Sequence, residues 1–351
     1  MLNLIVFADS SEMTELEKIN AYGKIYLYSL IVPLISISGI FLAYINKQNK
    51  LNSLIKNGIA PLKAKGMVFI SPELTKPNLL IIIGSIIFVL FTLFIGTSKI
   101  QFSQEIVFVG SFGIILLLLI KLSNELDTKA KRMLLGTAII IFVFRAMPGV
   151  GQGGSWFEID VLKFDQEFLS LLGLIASFLT IFGIFILRPL MEKSSMSRLI
   201  IILSVAGSIF ILPSIAMYYG FHEYTSKLTG GIVDERFIAI FNTALESPLG
   251  QVSMIPILAW IAQSAPSHLK ATFFAILASF TNLALSASNL GTKYLNQIFV
   301  ITREVKTEQG EIKIPADYSE LGILLIIVCL LTLIVPIIIT FVIKKLRLIS
   351  Y

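Results

Sequence analysis

Apolar residues gather into nine blocks, at 24–46, 77–97, 104–121, 134–157, 167–188, 198–219, 235–264, 268–300 and 320–344. Most have the length, about 18–25 residues, that carries a helix across roughly 30 Å of hydrocarbon. The pattern predicts an all-α fold, a polytopic membrane helix bundle of about nine transmembrane helices. Two blocks are unusual. The fourth runs into Pro148 and Gly149 before it is long enough to cross, and the eighth is too long to lie wholly in hydrocarbon.

The connections carry an alternating charge pattern. Residues 47–76 hold Lys47, Lys50, Lys56, Lys63, Lys65 and Lys76 against one acid, Glu73. Residues 121–132 hold Lys121, Lys129, Lys131 and Arg132, residues 188–198 hold Arg188, Lys193 and Arg198, and the C-terminus holds Lys344, Lys345 and Arg347. The intervening connections are acidic or mixed, as at Glu158, Asp160, Asp165 and Glu167. With nine spans, every basic connection falls on one side. Basic loops collect on the cytoplasmic face, so the C-terminus is expected in the cytoplasm and the N-terminus outside. The expected location is a bacterial inner membrane. An odd number of spans suggests a major-facilitator bundle, built from two six-helix halves, without its first helices. Residues 131–351 are then the complete C-terminal half. Residues 1–130 are a partial N-terminal half with the central cytoplasmic loop. The alternative is that nine is a miscount, with a weak span near 2–8 or a re-entrant piece near 148–157.

Composition agrees with the membrane reading. The chain is 56% hydrophobic and 14% charged, where a soluble domain is about 45–50% apolar and 25% charged. The net charge of +6 follows from topology and does not indicate nucleic acid. A single cysteine, Cys329, excludes an internal disulfide and a cysteine-based metal site, and His222 and His268 are too few for a histidine-rich one. No cofactor is expected. No Ser-His-Asp, paired-carboxylate or H-E-x-x-H arrangement is present, so the chain does not read as an enzyme.

Polar residues inside the apolar blocks carry the functional expectation. Arg145 closes the run "LLGTAIIIFVF". An arginine at a helix centre costs about 2.5–3.5 kcal/mol on insertion scales, so it should face the bundle interior or a watery cavity. Pro148, Gly149 and Gly151 follow, a sequence that cannot continue a helix cheaply. Gly149, Gly151 and Gly154 also match G-x-G-x-x-G. A dinucleotide loop needs a preceding strand and an acid about twenty residues on, where this chain has an apolar span and Leu174. The bland alternative is that Arg145 reaches to an interface and the glycines form an ordinary loop.

In the seventh block, Asn242 and Glu246 are one turn apart on one helical face, with Pro248 and Gly250 just beyond. Glu246 is a candidate for solute contact or proton coupling, or else a neutral, hydrogen-bonded structural group. In the eighth block Ser279, Asn282, Ser286, Asn289, Lys293 and Asn296 recur at intervals of 3, 4, 3, 4 and 3. That is one stripe on a helix. It reads as a solvated pathway or as interhelical glue, which contributes about 0.6 kcal/mol per contact. The candidate solute-binding or coupling set is therefore Arg145, Asn242, Glu246, Asn282, Ser286, Asn289 and Lys293. The candidate hinges are Pro148, Gly149, Gly151, Pro248 and Gly250.

Two stretches resemble the folate–biopterin transporter family. "FRAMPGVGQGGSWFEIDVLKFDQEFLSLLGLIAS" resembles the start of its second half at Arg145, Pro148, Trp156, Phe164 and Phe168. "QSAPSHLKATFFAILASFTNLALSASNLG" is similar at Ala265, Pro266, Ala271, Thr272, Phe273, Phe274, Ala275, Ser279 and Asn282. The resemblance covers the C-terminal two-thirds. It implies a major-facilitator fold and proton-linked or exchange movement of pterin-like solutes. The expected partners are a small-molecule solute, the lipid bilayer, and a separately encoded N-terminal helix segment or a second copy. The competing expectation is a non-transporting remnant of a split transporter.

Overall fold

The computed structural model describes residues 15–68, 79–98, 100–124, 126–249, 270–306 and 311–348. Gly250, Ala265, Pro266 and His268 lie outside them. The described residues are almost wholly helical. They form α1 (Glu15–Ser29), α2 (Ile31–Lys56), α3 (Pro61–Val68), α4 (Leu79–Thr97), α5 (Ser103–Ser123), α6 (Thr128–Arg145) and α7 (Gln152–Asp160). They continue as α8 (Gln166–Lys193), α9 (Met196–Tyr218), α10 (Phe221–Leu228), α11 (Glu235–Glu246), α12 (Lys270–Ile298) and α13 (Leu321–Lys345). Six stretches among the described residues are long and apolar enough to cross a membrane, and residues 82–97 of α4 form a shorter apolar helix. The all-α, multi-pass bundle expected from the sequence is the fold. The sequence reading missed one feature, an antiparallel hairpin of β1 (Val305–Lys306) and β2 (Ile312–Ile314).

The chain divides into two units, residues 1–77 with 165–171, and residues 78–164 with 172–351. In the first unit, α2 buries none of its side chains. Its apolar surface suits a lipid neighbour, since lipid chains solvate leucine and isoleucine as well as another helix does. The helix also continues to Lys56, so Lys47, Lys50 and Lys56 sit on helix rather than in the expected loop.

The second unit packs around α6. One layer joins α5, α6 and α12 through Leu119, Leu122, Leu134, Ile141, Phe273, Ile276 and Leu277. Beside it, Phe112, Phe142 and Phe280 pack in tilted and edge-on contacts at ring separations of 5.0–6.4 Å. A second layer joins α6, α9 and α13 through Ile140, Ile200 and Ile343. The α9–α13 contact uses small polar residues, with the Ser208 hydroxyl donating to the Cys329 carbonyl at 3.3 Å. Helix starts follow their capping side chains. Asp127 accepts from the Ala130 amide at 2.6 Å and Asp234 from the Phe237 amide at 2.8 Å, each satisfying one of the free N–H groups of a first turn.

Candidate functional site: a broken helix fastened to a polar one

Helix α6 stops at Arg145, residues 146–151 are not helical, and α7 begins at Gln152. Gly151 takes φ +79°, a value that favours glycine, and no strand precedes it among the described residues. The exposed backbone of a break at membrane depth needs partners, because hydrocarbon supplies none. Here α12 supplies them. The Ser288 hydroxyl donates to the Met147 carbonyl at 2.6 Å, the Gly149 amide donates to the Thr292 hydroxyl at 2.9 Å, and the Asn296 amide donates to the Val150 carbonyl at 3.1 Å. Gly291 faces Pro148 so closely that a Cβ there would lie 3.2 Å from the proline Cβ. Asn296, the last residue of the predicted stripe, is thus committed to sealing the break.

The rest of the stripe divides. Ser279, Asn282, Ser286 and Asn289 are exposed, on a face turned away from the buried Phe273, Ile276, Leu277 and Phe280. The Ser279 hydroxyl donates to its own helix at 2.9 Å. Asn282 and Asn289 make no side-chain hydrogen bond with other described residues. Lys293 is taken: its Nζ lies 2.7 Å from the Glu105 carboxylate of α5, and the same oxygen accepts from the Tyr294 hydroxyl at 2.8 Å. The Glu105 side chain is 18% exposed and that of Lys293 35%. This pair therefore sits between the buried and the surface regimes. Sequence reasoning missed Glu105. The available signal was a carboxylate near the start of an apolar block, which needs a cation of its own.

Arg145 ends α6 with its Nε buried and without a hydrogen-bond partner among the described residues. The Oδ1 of Asn242 is in the same condition. Glu246 is exposed, and the described residues show no ion pair joining it to Arg145. Beyond Glu246 the helix tightens into a 3₁₀ turn, Ser247–Leu249. That turn docks on α8. The Thr180 hydroxyl donates to the Ser247 carbonyl at 2.9 Å, and a Cβ at Gly183 would overlap the Pro248 backbone.

The model of the BT1 family matches residues 73–350. That is well over half of the chain. The chain belongs to the BT1 family. The match begins ahead of the second predicted block, so it takes in α4 and α5, which the sequence resemblance left aside. A folate-biopterin transporter from Synechocystis sp. is 23% identical over 156 residues, 44% of this chain and 30% of that protein. The chain thus matches less than a third of that relative's length. No solved structure matches. BT1 membership, together with the apolar helices, makes this a multi-pass membrane protein of a transporter family.

At the α7 end, a polar cluster organises the connections of this BT1 chain. Arg303 donates to both Asp160 oxygens, at 2.9 and 2.8 Å, and the Tyr318 hydroxyl donates to the same carboxylate at 2.7 Å. The hydrogen bonds from Arg303 hold the Asp160 carboxyl below its usual range. Burial, with the bond to Asp160, pushes the Tyr318 phenol up to about 12. The cluster ties α7 to the segment that carries the hairpin. Two bonds between Thr302 and Asp317, at 3.0 and 2.9 Å, close the base of that segment.

Proposed function

We propose that the chain moves a small anionic organic solute, of the pterin or folate kind, across the membrane by alternating access, coupled to protons or to exchange. BT1 membership supports the transport, and the resemblance to a folate-biopterin transporter from Synechocystis supports the solute class. The observation that carries the reading is Arg145, a half-buried arginine whose Nε is buried without a partner among the described residues, beside a break whose backbone is fastened to α12. A solute carboxylate would supply the charge-assisted hydrogen bonds that an arginine fork makes best. Asn242, Glu246, Asn282, Ser286 and Asn289 would meet ring nitrogens and exocyclic groups. Lys293 becomes available to an anion when its bond to Glu105 opens.

In this reading residues 1–130 and 131–351 move as two parts of a major-facilitator bundle. Pro148, Gly149 and Gly151 form one bending point, and Pro248 with Gly250 the other. The C-terminus is cytoplasmic and the membrane is a bacterial inner membrane. The test is uptake of labelled folate and unconjugated pterins into proteoliposomes holding the full chain, with and without an imposed pH gradient. Saturable uptake is expected, reduced at least about tenfold by Arg145→Ala, equivalent to about 1.4 kcal/mol, and reduced by Glu246→Gln. Uptake of every solute unchanged by both substitutions contradicts the assignment. So does absence of uptake by a folded wild-type chain.

A further inference from the structure

A second titratable site lies beyond the break, away from the residues assigned to the solute. The loop and the first turns of α7 roof a cavity of about 240 Å³, lined by Val150, Gly151, Phe157, Glu158, Met217 and Leu325 among others. Its walls are mainly apolar. Its polar side chains are the Glu158 carboxyl and the hydroxyls of Ser155 and Ser214. Glu158 is half-buried and forms no ion pair with another described residue.

The charged neighbours are engaged elsewhere. On α7 itself, Asp160 is bonded to Arg303 and Tyr318. Lys163, after α7, donates to the Asp160 carbonyl. From α9, the Tyr218 hydroxyl donates to the Tyr318 and Ser319 carbonyls. Ahead of α13, Glu320 accepts from the Val300 amide at 2.6 Å. The adjoining cleft, which shares Leu162, holds Lys163, His222, Glu223, Lys227 and Glu235. No cation is bonded to Glu158 from any packed element among the described residues.

We infer that Glu158 is a proton-binding site of this chain, neutral while the apolar walls shield its carboxyl and ionised when more water reaches it. Burial pushes its carboxyl up from the ordinary glutamate value, as expected for an acid with apolar walls and no bonded cation. The cavity wall includes Val150 and Gly151, the same backbone that α12 fastens through Asn296. Ionisation draws water into that wall, so the proton is linked to the state of the break. The inference rests on the proposed transport only for its use, as a coupling proton. The site itself stands on the cavity and the unpaired carboxyl.

The test separates the two. Infrared difference spectra of the purified full chain in nanodiscs, recorded across pH, report protonated carboxyl groups without any transport. The wild type is expected to show a buried carboxylic-acid band that titrates above pH 4.5, the unperturbed glutamate value. Glu158→Gln is expected to lose that band, Glu246→Gln to keep it, and Glu158→Asp to keep it with a shifted midpoint. The aspartate variant decides the matter if the glutamine variant does not fold. A band that survives undiminished in Glu158→Gln, or a wild type that titrates only in the ordinary range, overturns the site. Wild-type uptake without gradient dependence, with the band intact, overturns the coupling role and leaves the site.

Discussion

The two interrupted helices of this chain are secured by different means. The break after Arg145 is held by hydrogen bonds, with three side chains of α12 bonded to the backbone of residues 147–150. The break after Glu246 is held by contact, with the Pro248 turn seated on Gly183 of α8 and one bond from Thr180. Hydrogen bonds between helices can be exchanged one at a time as helices slide, whereas a backbone seated on a glycine tolerates no added atom. The first break is thus fastened by polar side chains of a neighbouring helix, and the second by close packing. Each also has an ionisable residue at its edge, a cation at the first and an acid at the second.

Four substitutions probe that contrast, in falling order of effect. Gly183→Leu should be the most damaging, because its side chain must displace the Pro248 backbone. Overpacking of this kind costs about 1–3 kcal/mol or more, and thermal unfolding in detergent should show it as a marked drop. An unchanged midpoint would mean that the second break is not seated on α8. Lys293→Met should come next, since it leaves the mostly buried Glu105 carboxylate without its cation. A loss of about 1–3 kcal/mol is expected, with recovery in the double variant Lys293→Met, Glu105→Gln. Failure of the second substitution to restore stability would show that the two residues do not form a pair.

Thr292→Val removes the acceptor of the Gly149 amide and should cost about 1 kcal/mol, less than the glycine change. It should also raise amide exchange locally at Gly149. A larger loss than that of Gly183→Leu would reverse the comparison. The smallest effect belongs to Asp160→Asn, at a partly exposed ion pair of about 0.2–1 kcal/mol. The folded Asp160 pKa is lowered, so its contribution is present above its unfolded value near 3.8 and is lost as pH falls through the lowered folded value. Wild-type and variant unfolding midpoints should therefore converge in acid. A gap that persists well below pH 3.8 would show that the carboxylate is not the stabilising group.

Much of the fold was legible because lipid imposes a simple rule on backbone and side chains. Block length gave six apolar helices long enough to cross a membrane among the described residues, and the proline and glycines after Arg145 gave the break. Less legible was what α12 does with each polar residue. Periodicity placed Ser279 to Asn296 on one stripe, but it could not divide the exposed Asn282 and Asn289 from the committed Lys293 and Asn296. It also passed over Ser288 and Thr292, which lie beside the stripe and hold the break. Such pairings depend on which helix lies opposite, and that information is absent from a single helix's period. Glu105 was hidden for the same reason, since its partner is 188 residues away.

The central claim is that the exposed stripe of α12 borders a water-filled path that admits the solute. The direct measurement is thiol accessibility in the full chain with Cys329→Ala. Single cysteines are placed at Asn282, Ser286 and Asn289, and for comparison at Ile338 and Phe341 on the exposed apolar face of α13. A membrane-impermeant maleimide should label the three α12 positions and spare the two on α13, and folate or a pterin should protect the α12 positions. Equal labelling of both groups, or α12 labelling unaffected by every pterin and folate tested, would contradict it.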